Sequence, residues 1–369
     1  MTHPPIQADD SDDSERSADD MPRVVRRSFI RRVRDVEFAG DAHFPPVANG
    51  LDYLVSVVEL LQREEGAASA RDLKYAVLHL AAGAEVLLKS RLHMEHWSLV
   101  FTDPGAATRT ALEDGSLSSC TPEQTRKRLK NIVGITFASH EEQALKDLAS
   151  SRNALQHWGL IGDQARAAVV ASTTATVLNF LVSFVDHHLL PELKEPERSA
   201  AELEMEHVRD GLHYIEEYVR ERMKDLAPRL GPVRPMTVQC PLCGQWALVV
   251  PGFKDGPDAD RIDDTYNVEC LFCSASFNAV EAAHEYNAAI LGCYSEAEEY
   301  DGPEGIYTCP LCPHGLLIRG VSTAADRERP VDFCFACATS FDNLQKCQRC
   351  GTVQPAEEEH RCPFARSLL

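Results

Sequence analysis

The chain has 369 residues, 44% of them hydrophobic and 25% charged, which is more than one ordinary core accommodates and too apolar for a disordered protein. Its 57 acidic against 37 basic residues give a formal net charge of -20, which excludes a protein that coats nucleic acid through a general basic surface. Two domains with polar tails are expected.

Residues 1–22 carry seven acids and almost no large apolar side chains, so they predict a solvated tail. No charged-then-apolar leader opens the sequence, and a cytoplasmic protein is expected. Residues 23–44 form a basic arm. In it Arg23, Arg26, Arg27, Arg31, Arg32 and Arg34 are interleaved with Val24, Val25, Phe29, Ile30 and Val33. Such a segment either contacts phosphates or connects elements while its arginines pair with acids of the body.

Residues 45–228 read as helix nearly throughout. Leu51, Leu54, Val57, Val58 and Leu61 mark one amphipathic face, and Leu73, Val77, Leu80, Val86, Leu87 and Leu92 a longer second one. Pro104-Gly105 and the stretch from Gly115 to Ser119 break the pattern. Thr121-Pro122-Glu123 restarts it, with Thr as cap and Pro at the first helical position. Further helices are predicted from Ser139 to His157, from Asp163 to Leu190 and from Ala200 to Leu226. The uncharged run from Ala167 to Val185 is as long as a membrane span, but its Ser, Thr and Asn residues predict a core helix, and no membrane partner is expected. The fold class is therefore mainly α, an antiparallel helical bundle, with residues 229–238 as a Pro-containing linker to the C-terminal third.

Beyond the linker the cysteines take over. Cys240-Pro-Leu-Cys243 and Cys270-Leu-Phe-Cys273 are two Cys-x-x-Cys pairs, the ligand set of a closed tetrahedral zinc site. Trp246–Val250 and Tyr266–Glu269 read as short strands, which makes residues 239–300 a zinc ribbon. Cys309-Pro-Leu-Cys312 and Cys334-Phe-Ala-Cys337 repeat the pattern in residues 305–345. The flanks match as well, since Cys273-Ser-Ala-Ser-Phe-Asn parallels Cys337-Ala-Thr-Ser-Phe-Asp; an internal duplication is expected. In residues 346–369, Cys347, Cys350, His360 and Cys362 offer a third set. The later pairs can be satisfied one after another or interleaved in a cross-braced arrangement, and the duplication favours the first. Two or three structural zinc ions per chain are expected. Cys120 and Cys293 have no neighbouring ligand and read as plain thiols. From Gly231 onward there are ten basic against twenty acidic residues, so the ribbons suit a protein partner or regulator better than nonspecific nucleic acid.

Near the end of the Ser139–His157 helix stands Arg152-Asn153-Ala154-Leu155-Gln156-His157, followed by Trp158-Gly159. Here the chain resembles the HEPN family, all-helical domains whose ribonuclease members carry an Arg, a polar residue and a His at a helix end, in the pattern Arg-x(4–6)-His. The Leu80–Leu92 helix, with Glu85 and Lys89 among apolar residues, looks like that family's earlier core helix. The resemblance spans about residues 45–195.

It implies a metal-independent endoribonuclease of toxin or antiviral-defence type, acting on RNA as a homodimer. Arg152 and His157 lie about 140° apart around one helix and do not converge, whereas a two-fold axis would bring two copies of each into one cleft. In that reading His157 and Arg152 are catalytic, Asn153 holds the His tautomer or a phosphate oxygen, and Glu85 orients Arg152. The residues alone also admit the plainer reading of an Arg and a His placed favourably at a helix C-terminus. His187 and His188, at another helix end, read as capping or surface groups. The rivals to an enzyme are a non-catalytic dimeric adaptor and a nucleotide-sensing protein, each docking partners through the ribbons. No phosphate-loop, dinucleotide, zinc-protease or serine-hydrolase motif competes.

Overall fold

The computed structural model describes residues 44–62, 68–252, 267–293, 305–312, 314–348, 350–356 and 362. The acidic tail, all but the last residue of the basic arm, and His360 lie outside the described residues. Nine α-helices and ten short strands are present among the described residues, mainly α with small antiparallel β units toward the C-terminus.

Helix α1 (Pro46–Leu61) starts on a proline at its first turn and buries Leu51, Leu54, Val58 and Leu61 along one face. Helix α2 (Ala70–Glu95) starts on a capping box. The Asp72 amide donates to Ser69 Oγ at 3.2 Å, and the Ser69 amide to Asp72 Oδ2 at 3.1 Å. The two helices pack closely because glycine faces the partner: a Cβ on Gly50 would stand 2.5 Å from Leu87 Cδ2.

A connector comes next, with short helix α3 (Arg109–Glu113), and Arg128 secures it by donating to the carbonyls of Leu99, Phe101 and Thr102. Arg128 ends α4 (Pro122–Arg128), whose Thr121 cap and Pro122 start are those expected from the sequence. Helix α5 (Ser139–His157) then runs back across the bundle to the Arg152 motif.

Helix α6 (Ala167–Phe184) is the core helix. Val170, Val177, Leu178, Leu181 and Phe184 are buried, and it packs on α2, α5 and α8. It passes a length-and-composition test for a membrane span over Ala167–Glu192, yet 61% of that window is buried within the protein. The helix expected from Ala200 to Leu226 is instead two, α7 (Glu197–Leu212) and α8 (Glu216–Leu230), separated by extended backbone at Ile215. The reason is tertiary: α7 packs on α1 while α8 packs on α6, and one straight rod cannot cover both. The predicted linker at 229–238 is structured too. Its first residues finish α8, Gly231–Met236 form a 3-10 turn, and Thr237–Val238 are already strand β1.

Strands β1 to β4 (Thr237–Val238, Leu248–Val249, Asn267–Cys270, Ser276–Asn278) form an antiparallel meander. Strands β5 to β8 (Ile306–Tyr307, Leu317–Val321, Val331–Cys334, Ser340–Phe341) repeat the same order, and β9 (Leu344–Lys346) pairs with β10 (Val353–Pro355). Between the two meanders lies α9 (Ala279–Ala289), which the sequence pattern did not place. Its signal was present: Asn278 Oδ1 accepts from the Glu281 amide and Glu281 Oε2 from the Asn278 amide, a capping box before an alanine-rich run. The meanders touch through a Val238–Thr323 bridge and through Tyr286 on Phe335, ring centres 5.4 Å apart. The first meander joins the bundle where Phe272 meets the buried Tyr218 edge-on at 5.9 Å.

Candidate functional site

Four of the five Cys-x-x-Cys turns are built by the same backbone device; in the Cys309–Cys312 turn the residue four beyond Cys309 is Pro313, which has no amide hydrogen to donate, and the Leu311 amide donates to Cys309 Sγ at 3.4 Å instead. The carbonyl of the first cysteine accepts from the amide four residues on, at Gly244, Ser274, Ala338 and Gly351, at 2.8–2.9 Å. Those four residues all adopt positive φ, between 54° and 73°. The first cysteine's own amide donates to the carbonyl one residue further, at Gln245, Ala275, Thr339 and Thr352. The ring so closed points both sulfurs to one side. That the Cys347 turn makes it as well extends the duplication to the third set.

The turns bring the sulfurs together sequentially and not in a cross-braced order. Cys240, Cys243, Cys270 and Cys273 form one group, Cys309, Cys312, Cys334 and Cys337 a second, and Cys347, Cys350 and Cys362 a third, with ligand atoms within 4.8 Å of one another in each. Sulfur pairs stand at 3.9 Å (Cys240–Cys273), 3.7 Å (Cys243–Cys270), 3.8 Å (Cys309–Cys337) and 3.7 Å (Cys312–Cys334). Four thiolates at roughly 2.3 Å from a tetrahedral ion stand about 3.8 Å apart, so the residues fit such an ion. These distances are far beyond a disulfide bond of about 2 Å.

Charge makes the same demand. Hydrogen bonding with Cys243 above all holds Cys240 well below the usual thiol range, while bonding with Cys240 pushes Cys270 far above it. Sulfurs this close share protons among themselves until a cation lets them all ionise. In the third group a hydrogen bond with the Thr352 hydroxyl brings Cys350 down to about 7. Of the other two cysteines, Cys120 is buried with its Sγ 3.2 Å from Thr125 Oγ1, and Cys293 is exposed; neither joins a metal-binding group among the described residues.

The second cluster sits between α2 and α5. Arg152 Nη2 pairs with Glu85 Oε2 at 3.3 Å, and Glu85 Oε1 takes Lys89 Nζ at 2.6 Å. Arg152 Nη1 also donates to Asn153 Oδ1 at 3.1 Å and Gln156 Oε1 at 3.2 Å. Asn153 thus has its carbonyl oxygen turned to Arg152. Arg152 is half-buried, while Asn153 and His157 are exposed. Just after His157 the surface turns apolar, with Trp158 89% exposed and Ile161 73% exposed.

His187 Nδ1 donates to the Ser183 carbonyl at 2.7 Å, and His188 lies against Phe184 with burial lowering its pKa. A group that sequence reasoning missed is His140, Glu221 and Asp225, whose ligand atoms lie within 4.8 Å. It joins the first turn of α5 to α8, so no sequence spacing could have shown it. Asp225 there already accepts from the Asn179 side-chain amide at 2.6 Å. Comparison with family models, with curated proteins and with solved structures finds no match to this chain.

Proposed function

We propose that the chain is a zinc protein whose helical bundle cleaves RNA without a catalytic metal, as a homodimer in the cytoplasm. The zinc ribbons then recognise the target or a protein partner. The observation that carries this reading is the Glu85–Arg152 ion pair, which fixes a half-buried guanidinium on the helix that ends at the exposed His157. An arginine held by a carboxylate from another helix is pre-oriented, as a group meant to meet developing negative charge must be.

Zinc is the ion that suits eleven clustered thiols at these spacings; cysteine closes the first two sites, His360 would complete the third, and closed sites are structural. They fold the C-terminal third and perform no chemistry. In the bundle, one His157 takes the proton of a ribose 2'-hydroxyl as its oxygen attacks phosphorus. The His157 of a second copy protonates the departing 5'-oxygen, leaving a 2',3'-cyclic phosphate. Arg152 steadies the charge on the phosphoryl oxygens. Trp158 and Ile161 give the dimer an apolar anchor next to the site, since a large exposed aromatic is the residue type that dominates interface energetics.

A second reading is favoured by one feature. Arg152 already bonds Glu85, Asn153 and Gln156, which is also how a purely structural arginine looks, and a dimeric adaptor would need no more. Mixed RNA incubated with the zinc-loaded protein, free metal having been removed by chelating resin, separates the two. Cleavage with cyclic-phosphate ends, lost at least a hundredfold in Arg152→Ala and His157→Ala, is the result expected of the enzyme. Equal cleavage in the variants would sink the site, and a dimer silent toward RNA would favour the adaptor.

A further inference from the structure

Although the chain is acidic overall, four arginines gather in one cleft. It measures about 500 Å³, within the size range of small-molecule sites, and opens where α6 ends, between α7, α8 and the first zinc ribbon. Arg198, Arg209, Arg222 and Arg229 line it together with His187. Of the three acids beside them, Asp186 is committed to Arg209 at 2.5 Å, and Glu202 and Glu269 are exposed to solvent.

Two of the arginines carry donors with nothing to bond. Arg222 Nη2 reaches the Leu271 carbonyl at 3.2 Å, but its buried Nε has no hydrogen-bond partner. The buried Nε of Arg209 has none either, although its Nη2 holds Asp186. Buried guanidinium donors are nearly always satisfied, so each such orphan calls for an acceptor. Both side chains also border a narrow inner void that shares Asp186, Arg209, Arg222 and Ser274 with the cleft, which puts them at its inner end. Arg229 is exposed and makes no ion pair among the described residues.

We infer that this cleft is a binding site for a small oligophosphate, of the class of pyrophosphate or a nucleoside triphosphate. Planar guanidinium forks match phosphate oxygens in pairs, and several arginines converging from separate helices hold a multiply charged group where one would hold only a single oxygen. The site stands at the far end of α6 from the Arg152 motif, about 25 Å of helix away, so it does not rest on the ribonuclease reading. A ligand there touches α7, α8 and the Leu271–Ser274 turn at once. Its occupancy therefore ties the first ribbon to the bundle.

Calorimetric titration of the full-length, zinc-loaded chain with pyrophosphate and, separately, with a nucleoside triphosphate tests this. One saturable site is expected for at least one probe, weakening as salt is raised. Equal affinity for both probes assigns the site to free oligophosphate, and at least tenfold tighter triphosphate binding assigns it to a nucleotide. Arg229→Glu and Arg222→Gln should each lose at least tenfold in affinity, while Arg166→Gln, a surface arginine paired with Asp163 outside the cleft, should not. Circular dichroism and zinc content confirm that the variants are folded; should Arg222→Gln fail there, the exposed Arg229→Glu decides. No saturable binding of either probe at millimolar concentration, or binding that Arg229→Glu leaves unchanged, overturns the proposal.

Discussion

Phe272→Ala tests whether the first ribbon and the bundle are one body. Phe272 lies in the turn between Cys270 and Cys273, is 5% exposed, and meets the ring of Tyr218, itself 1% exposed, at 5.9 Å. Removing a buried phenyl ring costs about 3–5 kcal/mol through lost burial and the cavity left behind. That range already includes the roughly 1 kcal/mol of an edge-on aromatic pair. For a folded unit of this size it corresponds to a fall in melting temperature on the order of 5–15 °C. The assay is a thermal melt followed by two probes, far-ultraviolet circular dichroism for the helices and a chromogenic chelator for zinc release. Because the aromatic contact joins the two parts, both transitions should move down together. If zinc release came earlier while the helical transition stayed in place, the ribbon would be an independent module on a tether, and the argument from a shared core would fail.

Ala338→Gly should raise stability by about 0.5 kcal/mol in denaturant melts. It relieves a left-handed backbone strain of about 1–2 kcal/mol, offset in part by roughly 0.4–1 kcal/mol from a freer unfolded chain. A loss of stability would show that the Ala338 methyl is needed for packing. Gly211→Ala should destabilise by about 1–2 kcal/mol. The new Cβ would stand 2.2 Å from Val58 Cγ1, and overpacking of about 1–3 kcal/mol exceeds the roughly 1 kcal/mol gained in helix propensity; a more stable variant would refute this. With the third group alone left without an ion and the two four-cysteine sites kept loaded, Cys350 should alkylate half-maximally near pH 7, because its thiol is brought down to about 7 and the thiolate dominates above that. Thr352→Val should move that midpoint up toward the ordinary thiol range, and an unmoved midpoint would clear Thr352 of the role.

The clustering of the cysteines in the C-terminal third was legible from spacing alone. Cys-x-x-Cys confines both ligands to one tight turn, so sequence distance and spatial distance are nearly the same there, and the repeated flanks implied two equivalent units. The helix start at Thr121 was equally local, set by the cap and the proline after it. The Arg152 motif was visible as a pattern, but the Glu85 carboxylate that holds Arg152 lies 67 positions away and was suggested only by family resemblance.

Tertiary structure decided everything that depends on which faces meet. It broke the expected Ala200–Leu226 helix at Ile215, because its halves serve different neighbours, and turned the predicted linker into helix end, 3-10 turn and strand. It also assembled the arginine cleft. Arg198, Arg209, Arg222 and Arg229 stand on two helices with no motif between them, and only the packing of α7 and α8 against the first ribbon brings them to the walls of one cleft. Local turn chemistry is written in consecutive residues, whereas convergence of distant side chains is a property of packing and is absent from any short stretch of the chain.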